Sequence, residues 1–187
     1  MHAELIKEEA RRRGFDLAGV APLVPTPEAD FYTEWLGRGY AGEMRYLERR
    51  VEERLDPGKI LPGARSAIVC SLNYHSDRPL TGFNPERAWV SRYAWGEDYH
   101  RVLKGKLDGL AGWIEDESGA GTRTYVDTGP LIERVLARYA GVGWFGKNTC
   151  IIDERIGSWT FLGCILTDLV LKADRPAPDR CGTCTAC

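Results

Sequence analysis

The sequence has no membrane-length apolar run: stretches such as Trp159 to Ile165 are interrupted well before the ~20 residues that crossing a bilayer requires. No membrane association is expected. The opening Met1, His2, Ala3 and Glu4 are not followed by an apolar segment with a small-residue cleavage site, which speaks against a secretory signal. A cytoplasmic location is the expectation. An excess of one charge is also missing, since 25 basic and 27 acidic residues leave a net charge of -2, and bulk electrostatics do not mark a nucleic-acid binder. The basic stretches Arg11 to Arg13 and Arg45 to Arg54 read first as solvated faces of amphipathic helices.

At 187 residues, 43% of them hydrophobic, the chain can enclose one sizeable core but not two independent ones. Its six cysteines do not suggest a disulfide framework, because the cytosol keeps thiols reduced. Cys70, Cys150 and Cys164 sit in apolar segments, where a thiol usually acts as a small buried hydrophobe. Cys181, Cys184 and Cys187 instead crowd into the last seven positions.

Patterning predicts a helix over Ala3 to Arg13 closed by Gly14, then a short buried strand over Phe15 to Val20. Thr26 and Pro27 read as cap and first position of a helix with Phe31, Tyr32, Trp35 and Leu36 on one face. A third helix is expected over Glu43 to Leu55, and a central strand over the unbroken run Ala67 to Leu72. His75 to Arg87 reads as a loop over a pocket. Tyr99, Val102, Leu103, Lys106, Leu107, Leu110, Ala111 and Ile114 form a helical stripe.

Thr124 to Val126 reads as a strand leading through Asp127, Thr128 and Gly129 into a helix that starts at Pro130. Asp127 then lies at a strand-to-helix junction, where open α/β sheets place ligands. Cys150 to Ile152 and Trp159 to Leu171 suggest two more strands joined through Asp153 to Gly157. The resulting fold class is α/β, or layered α+β: a domain over 1–173 with a central sheet flanked by helices. Asp174 to Arg180, with two prolines, reads as a linker, and 174–187 as linker plus the start of a second, truncated domain.

Cys181-Gly182-Thr183-Cys184-Thr185-Ala186-Cys187 is a C-x2-C-x2-C run matching the first three ligands of the bacterial ferredoxin pattern. A zinc knuckle is the alternative, although structural zinc prefers paired elements separated by a longer loop. Five further motifs carry a family likeness: Ser91 to His100, Val126 to Pro130, Ala140 to Asn148, Gly157-Ser158 and Phe161-Leu162-Gly163. In order and spacing, with the cysteine run after them, they resemble the tRNA epoxyqueuosine reductases over essentially the whole chain.

The resemblance implies a cobalamin-binding N-terminal domain followed by a ferredoxin-like domain with two 4Fe-4S clusters. It implies reduction of the epoxide of epoxyqueuosine, at the wobble position of tRNA, to queuosine, the last step of that biosynthesis. An external electron donor would feed the clusters, which would reduce cobalt to a low-valent nucleophile; this fragment alone would be inactive, and a monomer is expected. Asp127 matches the family's proton donor, although an aspartate there could instead cap the following helix. Arg54, Ser91, Asp127, Asn148, Ile151 and Leu162 match cobalamin-contact positions. Cys181, Cys184 and Cys187 match cluster ligands. Gly141, Gly143 and Gly146 would let backbone approach a flat macrocycle, or simply form turns.

None of the three histidines stands in the Asp-x-His-x-x-Gly pattern that supplies a histidine to cobalt in other cobalamin proteins, so a base-off cobalamin is expected. His75 has no assigned role. Arg134, seven residues after Asp127, could steer its carboxylate, meet a phosphate or be a surface residue. Cys164 stands where the family commonly carries an acid, a change that reads as tolerated. Two other readings share these features: a reductive dehalogenase, and a non-catalytic cobalamin carrier.

Overall fold

The computed structural model describes residues 1–77, 84 and 86–185. Its centre is a four-stranded sheet in the order β1-β2-β6-β3, every pairing antiparallel. These strands are β1 (Leu17–Pro22), β2 (Ser66–Asn73), β3 (Thr122–Tyr125) and β6 (Thr160–Thr167). A separate hairpin joins β4 (Trp144–Phe145) to β5 (Ile151–Ile152). Among the described residues five α-helices accompany them: α1 (Ala3–Arg12), α2 (Pro27–Gly37), α3 (Val51–Leu55), α4 (Tyr99–Ser118) and α5 (Glu133–Tyr139).

The unbroken apolar run in β2 is explained by burial on both faces. Ile68 and Cys70 join Ile6, Leu103, Leu107, Leu110, Ile114 and Ile165 in one cluster, under α1 and α4. Ala67 and Val69 point the opposite way, with Cys164, Leu166, Leu131, Ala137 and Ala140 on the α5 side. Alternate residues of a strand face opposite sides, so with both faces covered the apolar residues of β2 run on without alternation, and the buried Ser66 and Ser71 are its polar exceptions. Burying each Ile or Leu contributes roughly 1.5–3 kcal/mol, and the two layers together define the domain.

The expected α1, central strand and long α4 are present, the last starting where Asp98 accepts a hydrogen bond from His100 N. Cys70 and Cys164 are fully buried, as expected, with burial pushing the Cys70 thiol up to about 12. Cys150 is only half-buried. Strand β1 starts two residues later than the sequence suggests, because Phe15 N–H closes α1 through Ala10 O and leaves only its side chain for the core.

Several expectations are corrected. No residue of α2 is buried, and Phe31 stays exposed; Tyr32 and Trp35 stack on each other and Tyr32 OH donates to Leu47 O, so α2 rests on the following turn rather than on the core. The helix expected over Glu43 to Leu55 is a 3-10 turn (Arg45–Leu47) and the short α3, separated by Arg50 at φ 55. Charge on nearly every face leaves this stretch no apolar stripe to hold a continuous helix. The helix expected from Pro130 begins at Glu133. Because the sheet is antiparallel, the placement rule for open parallel sheets does not account for Asp127's position. The loop expected over His75 to Arg87 lies mostly outside the described residues.

The stretch after Leu171 has no helix or strand among the described residues, yet it is tied down. Asp174 accepts hydrogen bonds from Lys7 Nζ (2.7 Å) and Val20 N (2.8 Å), while its own N–H donates to Val20 O. Lys7 is nearly buried; burial alone would lower its pKa, but the hydrogen bonds to Asp174 and Glu4 prevail and raise it. Removing one partner of such a pair leaves the other's charge poorly solvated. Asp174→Ala is therefore expected to destabilise this chain by about 2–3 kcal/mol, read as a lower urea midpoint at unchanged m-value.

Candidate active site

The ends of β2 and β6 that project beyond the core, together with the residues before α4, line two adjoining cavities. The first, about 260 Å3, is bounded by Tyr74, Tyr99, Arg134, Ile151, Phe161 and Leu162 among others. The second, about 350 Å3, shares Tyr74, Tyr93 and Phe161 with it and adds Arg92, Trp95 and Glu97. Their wall is aromatic: Tyr99 stacks on Phe161 (4.1 Å, 2°), and Tyr74 lies 4.6 Å from Phe161 and 5.9 Å from Trp159. Arg92 spreads over Trp159 and Trp95, with centroids 4.7 and 5.4 Å away. Among the described residues its buried Nε has no hydrogen-bond partner, a donor available for an acceptor brought by a ligand.

Asp127 sits beside the first cavity at the end of β3, in a turn rather than a helix. Thr128 N–H donates to Val126 O across it, and Asp127 has φ 55. A γ-turn with positive φ at its centre is the rarer, more strained form, and a non-glycine residue there costs about 1 kcal/mol or more. The turn is held from three sides. Asp127 N–H donates to Glu133 Oε1 at 2.9 Å, Arg54 reaches Gly129 O at 3.4 Å, and His100 Nε2 lies 3.5 Å from Asp127 Oδ2. Gly129 is required by space, since a Cβ there would fall 2.2 Å from the Tyr125 ring.

Asp127 does not cap α5. Position Ile132 begins that helix without a side-chain cap, and the hydrogen bond runs in the opposite sense, from Asp127 N–H to the side chain of the helix's first residue. The carboxylate of Asp127 is itself exposed, with 65% of its side chain accessible.

The electrostatics around this turn are unusual. Burial pushes Glu133 up to about 7, with the Asp127 carboxylate adding to the shift. Tyr99 is pushed up to about 12, first by burial and then by Asp127. His100 is raised, mainly by its hydrogen bond to Asp98, with Asp127 contributing.

The structure thus brings Ile151 and Leu162 to the first cavity, and Ser91 to the start of the 3-10 turn Arg92–Ala94, which borders the second. Arg54 stands behind the Asp127 turn. Asn148 Oδ1 accepts from Cys150 N, shaping the β4–β5 turn. Gly143 and Gly146 face Ile152, where an added Cβ would come within 2.5 Å, so the chain's own hairpin accounts for their size. Arg134 lines the first cavity and donates to Thr149 O (3.2 Å). His75 packs edge-on against Trp159.

Cys181 Sγ lies 3.8 Å from Phe145 O of the hairpin, and Lys147 Nζ donates to Cys184 O. Cys187 lies outside the described residues, and among those described no three ligand side chains converge as a metal site. In the sequence Glu133, Arg92 and His100 have no assigned role, and Tyr99 only a place in the helical stripe. Their signal was faint: an acid at a helix start and polar residues inside an aromatic motif.

Comparison with known proteins sets this arrangement in context. A solved epoxyqueuosine reductase with a tRNA-Tyr epoxyqueuosine-modified tRNA stem loop superposes with a TM-score of 0.87 at 31% identity, over 97% of this chain and 49% of that one. A Bacillus subtilis epoxyqueuosine reductase, with an aspartate catalytic loop swung out of its active site, gives 0.84 at 30% identity over 97% and 49%. A reductive dehalogenase described for B12-dependent dehalogenation gives 0.62 at 16% identity over 95% and 20%, a likeness of fold alone. The shared core is therefore one found in reductases of both kinds.

The sequence decides between them. The family model for epoxyqueuosine reductase QueG, DUF1730, matches residues 54–128, and the epoxyqueuosine reductase of Gloeobacter violaceus is 45% identical over 99% of this chain and 58% of its own length. The chain is similar to epoxyqueuosine reductases over nearly its whole length and spans about half to three fifths of the length of these relatives.

Burial of Glu133 has a measurable consequence. Its native pKa of about 7 exceeds the ordinary 4.5, so between these values the folded chain holds more protons than the unfolded one, and the favourable contribution fades as pH rises through 7. Glu133→Gln lacks this titration. Its unfolding free energy relative to the native chain should rise from pH 4.5 to pH 8 by on the order of 2 kcal/mol, measured by urea denaturation at both pH values. A pH-independent difference would show that Glu133 is already an ordinary solvated carboxylate.

Proposed function

We propose that this chain is the N-terminal, corrinoid-binding part of an enzyme that reduces the epoxide of epoxyqueuosine in tRNA to the alkene of queuosine. Likeness to epoxyqueuosine reductases supports this reading, and one observation carries it: a carboxylic acid held in a strained turn at the edge of an aromatic-walled cleft. Removing the epoxide oxygen as water consumes two electrons and two protons. An oxyanion would accumulate on ring opening unless an acid delivers a proton as the C–O bond breaks.

Asp127 is the group in position to do so. Its backbone N–H is held by Glu133, and its carboxylate is flanked by His100 and Tyr99. Tyr74, Tyr93, Tyr99 and Phe161 supply an apolar surface that excludes water from the reacting centre.

The residues present fit a large planar cofactor with polar edges, base-off cobalamin. The twin cavities share one aromatic wall, and Arg92 keeps beside it a donor with no partner among the described residues. Ser91, Asn148, Ile151 and Leu162 would hold the cofactor with Asp127, while Arg54 would brace it through the Asp127 turn. When bound, the corrinoid supplies the reducing centre. Cys181, Cys184 and Cys187 would be ligands of the first of two 4Fe-4S clusters, fed by an external donor. The domain division is 1–173 for the corrinoid-binding unit and 174–187 for the linker and start of a ferredoxin-like unit. A monomer acting on tRNA in the cytoplasm completes the reading; no helix among the described residues is long and apolar enough to cross a membrane.

Two experiments test it. Titration of this chain with cob(II)alamin should give saturable binding with a base-off absorption spectrum; no binding by a folded chain would contradict the cofactor assignment. In the full-length enzyme, Asp127→Asn should retain corrinoid but lower single-turnover epoxide reduction by ~10²–10⁴-fold. Unchanged turnover would remove Asp127 from the proton-donor role.

A further inference from the structure

The Asp127 turn is strained and exposed, and three contacts brace it. Of its three braces, Arg54 makes a long contact to Gly129 O, and His100 stands 3.5 Å from the carboxylate. Glu133 alone engages the backbone of Asp127 itself, at 2.9 Å. That contact is made by the N–H of the residue with positive φ, so it acts at the bond whose rotation would release the turn. A carboxylate accepting a backbone N–H forms a charge-assisted hydrogen bond, stronger than its neutral counterpart.

We propose that Glu133 is a positioning residue: its carboxylate is the latch that holds the Asp127 turn against the cleft, and its protonation loosens the latch. This rests on the reading of Asp127 as the proton donor, and extends it to how that donor is kept in place.

The surroundings of Glu133 set the pH at which the latch works. Asp127 faces it from the turn, His100 and Tyr99 from α4, Arg134 from α5 and Cys164 from β6. Burial and the Asp127 charge favour the protonated form, whereas the hydrogen bond from Asp127 N–H, Arg134 and His100 favour the carboxylate. Near neutral pH the two forms therefore coexist. The carboxylate, dominant at higher pH, grips the turn with the stronger bond.

The latch can be read without any cofactor or substrate, on the folded chain by NMR. The Asp127 amide proton should shift with pH about a midpoint near 7, and its hydrogen exchange, corrected for intrinsic pH dependence, should be faster below that midpoint. Glu133→Gln keeps an oxygen acceptor and should abolish the pH dependence at an intermediate exchange rate. Glu133→Ala should exchange about ten-fold faster or more at every pH.

In the full-length enzyme with pre-reduced cofactor, Glu133→Ala should lower the single-turnover rate by about 10²-fold with corrinoid affinity unchanged, and Glu133→Gln should restore much of it. An Asp127 amide indifferent to pH and to both substitutions in folded chains would overturn the latch. So would a wild-type rate in Glu133→Ala alongside an inactive Asp127→Asn. A fully active Asp127→Asn would instead refute the proton-donor reading and leave the amide result to judge the latch by itself.

Discussion

The pairing of β2 with β6 is the constraint on which the rest depends. The strands run antiparallel in register from Ser66 opposite Thr167 to Asn73 opposite Thr160, and both faces of their shared stretch are covered. A slip of one residue would exchange Ile68 and Cys70 with Ala67 and Val69 between the α1–α4 side and the α5 side. Large side chains would then meet the close-packed α5 layer and small ones would leave voids under α4, with costs of several kcal/mol for mismatched volumes. Register in turn sets where β6 leaves the core, and hence where Phe161 and Leu162 meet the cleft. On the other edge of β6 its pairing with β3 places Tyr125 opposite Cys164, which fixes the end of β3 from which the Asp127 turn departs.

Much of this framework was legible in the sequence because it rests on periodicity. The stripe of α4 and the continuous run of β2 have one physical explanation each, and both were found. Where periodicity is weak, local reading failed. The charged stretch 43–55 looked helical by propensity, yet without a face to bury it broke at Arg50. Phe31, Tyr32, Trp35 and Leu36 had helical spacing, but spacing cannot say whether another element arrives to cover them. The Asp127 turn was misread for a related reason: Pro130 is a good first residue of a helix, whereas the positive φ three residues earlier depends on Glu133 reaching back from further along the chain.

The site shows the same division. Ile151 and Leu162 could be placed by motif, and they line the cavity. The aromatic wall draws on Tyr74, Tyr93, Tyr99, Phe161 and Trp159, from four separate segments, and no local pattern announces such convergence. Glu133 illustrates the limit best. In sequence it is an unremarkable acid in the first turn of a short helix, favourable to the helix dipole. Only the folded chain reveals that it is half-buried and shares its surroundings with another carboxylate, an imidazole and a guanidinium.

Strand β6 is divided along its length: Gly163 to Thr167 are buried, while Thr160 to Leu162 are only partly so and open onto the cleft. Strand β2 mirrors it, buried from Ser66 to Ser71 and less so at Leu72 and Asn73. One half of each strand answers to folding and the other to whatever occupies the cleft. Substitution in the second half is cheap for the fold, so selection can rewrite chemistry there without first finding compensating changes in the core. A scaffold partitioned this way is evolvable.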